Sequence, residues 1–147
     1  MSVLISGPPE AIRGSKVDTD RLRRIGQTVL LAIGEGRSEL SIALVDDPQI
    51  KKLNTRWRDR RRSTDVLSFS QIEGDFAVHR SGLLGDVVIS VETAAAQAAS
   101  RHRGLDEVVT RLLIHGVLHL IGHDHEKDEE ARRMGAEERR IWRELKA

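Results

Sequence analysis

His115-Gly116-Val117-Leu118-His119-Leu120-Ile121-Gly122-His123-Asp124-His125 carries four of the chain's six histidines in eleven residues. Four residues advance an α-helix by about 400°, so His115 and His119 project from one face, one turn apart. Both imidazoles can then reach one ion at about 2.0–2.1 Å. Gly122 can take a positive φ, which lets the chain leave the helix and fold back. His125 is thereby the expected third ligand, ahead of His123. Three neutral imidazoles leave a fourth position for water, as in catalytic rather than structural zinc sites. The surrounding helix turns apolar on every side after Arg111, with Leu112, Leu113, Ile114, Val117, Leu118, Leu120 and Ile121. A helix apolar all round belongs at the centre of a fold. Unpartnered imidazoles buried there would be costly, which favours a shared ion.

The rest of the chain bounds the setting. Its 147 residues suit one domain over 1–147 with one core. With two Trp, two Phe and no Tyr, that core must be aliphatic. Cysteine is absent, so there are no disulfides and any metal is held by nitrogen and oxygen. No apolar run approaches the roughly 18 residues of a membrane span, and no signal peptide is apparent. A cytoplasmic protein without a membrane partner is expected.

Periodicity and punctuation divide the chain into elements. Ser2 to Ser6 reads as an edge strand. Asp18 or Thr19 caps a helix bearing Leu22, Ile25, Val29 and Ile33, which Gly34 and Gly36 stop. Glu39 to Val45 alternates as a strand. Asp47-Pro48 opens a second helix with Ile50, Leu53 and Trp57 on its inner side. Val66 to Ser70 and Leu84 to Val91 read as strands, with a loop from Glu73 to Gly82 between them. Glu92 to His102 is an alanine-rich helix closed by Gly104, and Leu105 to Ile121 is the apolar helix. Asp128 to Leu145 is amphipathic, and the seven acids and seven bases from Glu126 onward cancel into a solvated face. His79 and His102 lie in polar surroundings and are expected at the surface.

Charge is unevenly spread in a chain of net charge +1. Between Lys51 and Arg62 there are seven basic residues and one acid. Lys51, Lys52, Arg56, Arg58, Arg60, Arg61 and Arg62 are candidates to grip the backbone of a polyanion, with salt-sensitive, sequence-independent affinity. Trp57 shares helical spacing with Leu53 and is expected in the core, so base stacking is not supported. Asp65, Asp86 and Asp124 are candidates for orienting a ligand histidine or water. Turn and cap chemistry is the competing role for them.

The spacing His115, His119, Gly122, His125 matches the metal-binding pattern of metzincin proteases. Those enzymes carry their general base at the position held here by Gly116, so a peptidase lacks its base. More specifically, the histidine string resembles the signature of the YbeY family of bacterial rRNA maturation endoribonucleases. Leu53-Asn54-Thr55-Arg56-Trp57-Arg58, Thr64-Asp65-Val66-Leu67-Ser68-Phe69 and Leu84-Gly85-Asp86-Val87-Val88-Ile89-Ser90 extend the resemblance, in order, over roughly residues 40 to 145. Many relatives carry tyrosine where this chain has His123, and Arg60-Arg61-Arg62-Ser63 replaces a more mixed segment.

The resemblance implies an α+β fold: a small mixed sheet of about four strands packed with helices around a central metal-bearing helix, with a zincin-like site. It implies one zinc per chain on His115, His119 and His125, and a functional role for Arg58. It also implies single-strand-specific cleavage of rRNA in 16S 3′-end maturation and ribosome quality control, with the small ribosomal subunit as partner. Arg58 and His115 are then the expected catalytic residues, since guanidinium offers phosphate a charged planar fork. Two other readings stand beside this one. One is a metal-dependent peptidase-like hydrolase. The other is a non-enzymatic ribosome assembly factor with a structural metal.

Overall fold

A computed structural model describes residues 3–7, 17–58, 64–70, 82–124 and 126–146, with the side chain of Arg58 excepted. The described elements run β1 (Val3–Ser6), α1 (Thr19–Ala32), β2 (Glu39–Val45), α2 (Asp47–Arg58), β3 (Val66–Ser70), β4 (Leu83–Ser90), α3 (Val91–Ser100), α4 (Leu105–Leu120) and α5 (Asp128–Lys146). The strands form one mixed sheet in the order β1-β2-β4-β3. β1 and β2 pair in parallel, as do β2 and β4, while β3 closes the far edge antiparallel to β4. The protein is therefore α+β.

The strands follow from their side-chain alternation. β2 buries Leu40, Ile42 and Leu44 and leaves the intervening residues half-exposed, the period of a strand with one covered face. β4 is internal to the sheet and buries nearly every residue, including Leu84, Val87, Val88 and Ile89. Both strands pack into the same core as α4. That helix buries Val108, Val109, Leu112, Leu113, Ile114, Val117, Leu118 and Leu120, so the apolar helix is central as its sequence requires.

Gly116 sets how closely α4 meets the sheet. A methyl group there would lie 2.7 Å from Val87 Cγ1 and 3.2 Å from both Ser68 Oγ and Val66 Cγ2. Two hydroxyls on one face of β3 then tie the helix down. Ser68 Oγ donates to the Gly116 carbonyl at 2.7 Å, and Ser70 Oγ to the Leu120 carbonyl at 3.2 Å.

The caps explain several boundaries. Asp18 accepts a hydrogen bond from the Arg21 N–H at 3.0 Å and starts α1. Asp46 and Gln49 form a reciprocal capping box at the start of α2, at 2.9 and 3.2 Å. Ser90 is the N-cap of α3, so β4 passes into helix at Val91 rather than including it. Gly104 does not close α3 but caps α4. The left-handed residue after α3 is His102, with φ 53°, and the Arg103 N–H bonds back to the Ala98 carbonyl at 2.9 Å. His102 is exposed, as expected.

Trp57 departs from expectation. It is 60% exposed, not part of the core, and the Arg56 guanidinium lies 5.1 Å from its ring centroid. Its azimuth on α2 matches Ile50, but it stands a turn beyond Asn54, the last fully covered residue of that helix. His79 and most of the expected Glu73–Gly82 loop lie outside the described residues. No helix among the described residues is long and apolar enough to cross a membrane.

Candidate metal centre and its cleft

The C-terminal half of α4 projects His115 and His119 toward one another. Their Nε2 atoms are 3.1 Å apart, with ring centroids separated by 4.7 Å and planes at 76°. Two neutral rings at this spacing can share a proton or point both lone pairs at one cation. Tetrahedral zinc with nitrogens at about 2.05 Å requires a nitrogen–nitrogen separation of about 3.3 Å. The observed pair lies within a few tenths of that separation, so these two side chains fit a metal.

A carboxylate stands behind the first ring. Glu138 Oε2 of α5 lies 3.4 Å from His115 Nδ1. A proton held on Nδ1 toward a carboxylate leaves the Nε2 lone pair available and makes the imidazole a better donor to a metal. Glu138 falls on the same side of α5 as the buried Met134 and Ile141, and so reaches α4 while staying partly exposed. Sequence reasoning missed it by treating all the charges of this helix as one solvated face. One acid on an otherwise apolar stripe was the available signal.

The end of α4 is closed by glycine. Gly122 takes φ 99°, and its N–H bonds to the His119 carbonyl at 3.1 Å. The His123 N–H reaches the Leu118 carbonyl at 3.0 Å. This is a Schellman closure, with glycine in the left-handed position it favours. It brings His123 and Asp124 to a cleft of about 550 Å³, whose walls include His115, His119, Ser68 and Asp65.

The remaining candidates are only partly described. His125 lies outside the described residues, as do Arg60, Arg61 and Arg62, and the side chain of Arg58 at the end of α2 is not described. Among the described residues, no group of three or more His, Asp or Glu side chains converges to hold a metal. Lys51, Lys52 and Arg56 are exposed on α2, and none of them is among the described residues lining the cleft. Asp65 borders the cleft but also has a structural task. Its Oδ1 accepts from the Val66 N–H at 2.8 Å and its Oδ2 from Gln97 Nε2 at 3.1 Å, joining β3 to α3. Asp86 sits in β4 opposite Phe69 of β3 and is not among the described residues of the cleft wall.

Packing also excludes the metzincin base. Its position, Gly116, faces β3 and β4, where Val87 and Ser68 leave no room even for a methyl group. A glutamate cannot occupy that site in this fold.

Comparison with known proteins bears on the same residues. The sequence profile described as endoribonuclease YbeY matches residues 11–146. A relative from Geobacter metallireducens, named endoribonuclease YbeY, is 39% identical over 132 residues, covering 88% of this chain and 88% of its own. Relatives with the same name from Geobacter sulfurreducens and Aquifex aeolicus are 41% and 40% identical, covering 86% and 91% of this chain and 85% and 83% of theirs. A Thermotoga maritima protein solved in solution shares the fold, with a TM-score of 0.65 at 23% identity over 97% of this chain and 88% of its own. By its sequence match over most of its length, the chain belongs to the YbeY family.

Proposed function

We propose that this protein is a zinc-dependent endoribonuclease that hydrolyses single-stranded RNA in the cytoplasm. Its task is 16S rRNA 3′-end maturation and quality control on the small ribosomal subunit. The names of its relatives support the reaction class. The observation that supports the site most strongly is the 3.1 Å approach of His115 and His119 Nε2 at the wall of an open cleft, with Glu138 behind His115.

In this reading His115, His119 and His125 hold one zinc ion per chain. Bound there, zinc supplies Lewis acidity toward a phosphoryl oxygen and lowers the pKa of water. The protein's own groups do the rest. Glu138 keeps the proton of His115 on Nδ1 and fixes the ring. Ser68 and Ser70 hold the helix that carries both histidines at a constant depth below the cleft. Arg58 offsets charge gathering on the phosphate oxygens, where a guanidinium fork is worth more than a point charge. Lys51, Lys52, Arg56, Arg60, Arg61 and Arg62 hold flanking phosphates without reading bases.

A peptidase reading is disfavoured by the filled Gly116 position. An assembly factor with a structural metal differs from the proposal in one observable, which is cutting. Purified protein is incubated with rRNA and with casein, with and without chelator. Chelator-sensitive RNA cleavage, lost in His115→Ala and Arg58→Ala, is expected. Intact RNA with metal-replete protein refutes the nuclease reading.

A further inference from the structure

A second cleft, of about 540 Å³, opens on the α5 side of His115 and shares both His115 and Asp65 with the first. Three separate elements turn arginines into it: Arg101 just past α3, Arg111 of α4, and Arg139 with Arg143 one turn apart on α5. Its two carboxylates are already engaged, Asp65 with Val66 and Gln97 and Glu138 with His115. Arg111 is steered by Glu107 at 3.4 Å and stacks 4.3 Å from the centroid of Trp142. Arg101, Arg139 and Arg143 are exposed, and no carboxylate among the described residues lies within ion-pairing distance of them. Three guanidiniums without a carboxylate partner among the described residues, beside an Arg111 held by Glu107 and Trp142, outnumber the two carboxylates of the cleft and make a site for a polyanion, and guanidinium pairs with phosphate in a bidentate fork.

We propose that this cleft binds the sugar–phosphate backbone of single-stranded RNA on one side of the cut. The strand crosses His115 from the first cleft and continues over Arg139 and Arg143. This inference rests on reading the first cleft as the RNA-cleaving site, and it adds the path of the flanking nucleotides. That path differs from the basic run on α2, whose described members do not line either cleft. Contacts to phosphate carry no base preference, so the contact is one of backbone charge and of length.

The test is fluorescence anisotropy of a short cleavage-resistant 2′-O-methyl RNA on the intact protein, from about 50 to 200 mM salt, paired with cleavage kinetics on ordinary RNA. Each phosphate contact contributes about 0.7 to the slope of log affinity against log salt for a single strand. Replacing Arg139 and Arg143 together by alanine should lower that slope by about 1.4. KM should rise and kcat at saturating RNA should stay within about twofold, because neither residue touches the reacting atoms. Arg139→Lys with Arg143→Lys should restore most of the slope. Arg132→Ala with Arg133→Ala removes the same charge at exposed positions of α5 that do not line the cleft. That variant should match wild type. An unchanged slope in the Arg139/Arg143 variant, or an equal loss in the control, overturns the proposal while wild-type cutting leaves the nuclease reading standing. Absence of RNA cutting by the metal-loaded wild type overturns both.

Discussion

Replacing Gly116 by alanine tests the close docking of α4 on the sheet, which sets the geometry of both histidines. Two opposed terms can be sized. Alanine in a helix interior is favoured over glycine by about 1 kcal/mol. The new methyl would sit 2.7 Å from Val87 Cγ1, about 1 Å inside ordinary carbon contact. Val87 is fully buried on β4, an internal strand, and cannot swing away. Ser68, the next contact at 3.2 Å, is held by its hydrogen bond to the Gly116 carbonyl. Such overpacking costs about 1–3 kcal/mol, so after the gain in helix propensity the net loss should be about 0–2 kcal/mol. For a domain of this size that lowers Tm by at most about 8 °C.

Gly135→Ala supplies the control. It is also inside a helix, but its added methyl would meet only the end of the Arg139 side chain, at 3.4 Å. Helix propensity then decides the sign, and the variant should gain about 0.5–1 kcal/mol. Thermal and urea unfolding followed by circular dichroism read both. If Gly116→Ala gains as much stability as Gly135→Ala, α4 does not lie against β3 and β4 as described.

The same geometry sets other outcomes. Glu138→Gln should weaken metal binding about 10–100-fold while leaving the fold intact, measured by competition with a chromogenic chelator; unchanged affinity would show that the contact with His115 does not tune the ligand. Gly122→Ala must place a side chain at φ 99°, so a loss of about 1 kcal/mol is expected in urea unfolding although no atom crowds the position. His102→Gly should raise stability by up to about 1 kcal/mol, because histidine occupies a left-handed site there. Hydrogen bonds from Arg140 hold the Glu137 carboxyl below its ordinary value of 4.5, and nearby His123 adds to this. A depressed carboxylate stabilises the fold above its unfolded pKa, and that gain is lost as pH falls through the lower folded value. Wild type should therefore exceed Glu137→Gln in stability at pH 7 and converge with it as pH falls below the lowered folded pKa. The gap should be at most about 0.5 kcal/mol, because both side chains are roughly a third exposed.

Much of this architecture is written in local pattern. The alternation of Glu39–Val45 reproduces β2 residue for residue, and the unbroken apolar surface after Arg111 marks α4 as central. Gly122 turns the helix end as its position suggests. What the sequence hides is set by where neighbours stop and which helices meet. Helical spacing gives Trp57 the azimuth of a core residue, but not the distance along α2 at which coverage ends. Glu138 lies 23 residues from His115, and only the packing of α5 on α4 selects it from the acids around it. The packing of α3 and α5 on α4 gathers Arg101, Arg111, Arg139 and Arg143 from separate segments of the chain. The densest basic run, by contrast, is conspicuous in sequence, and its described members stand on an exposed face of α2.

The central claim is that His115 and His119 share a metal ion. Elemental analysis of the purified protein after exhaustive dialysis tests it most directly. About one zinc or other transition-metal ion per chain is predicted for wild type, with little retained by a folded His115→Ala/His119→Ala variant. A metal-free wild type that takes up no zinc, or a double variant that keeps full occupancy, would contradict the account.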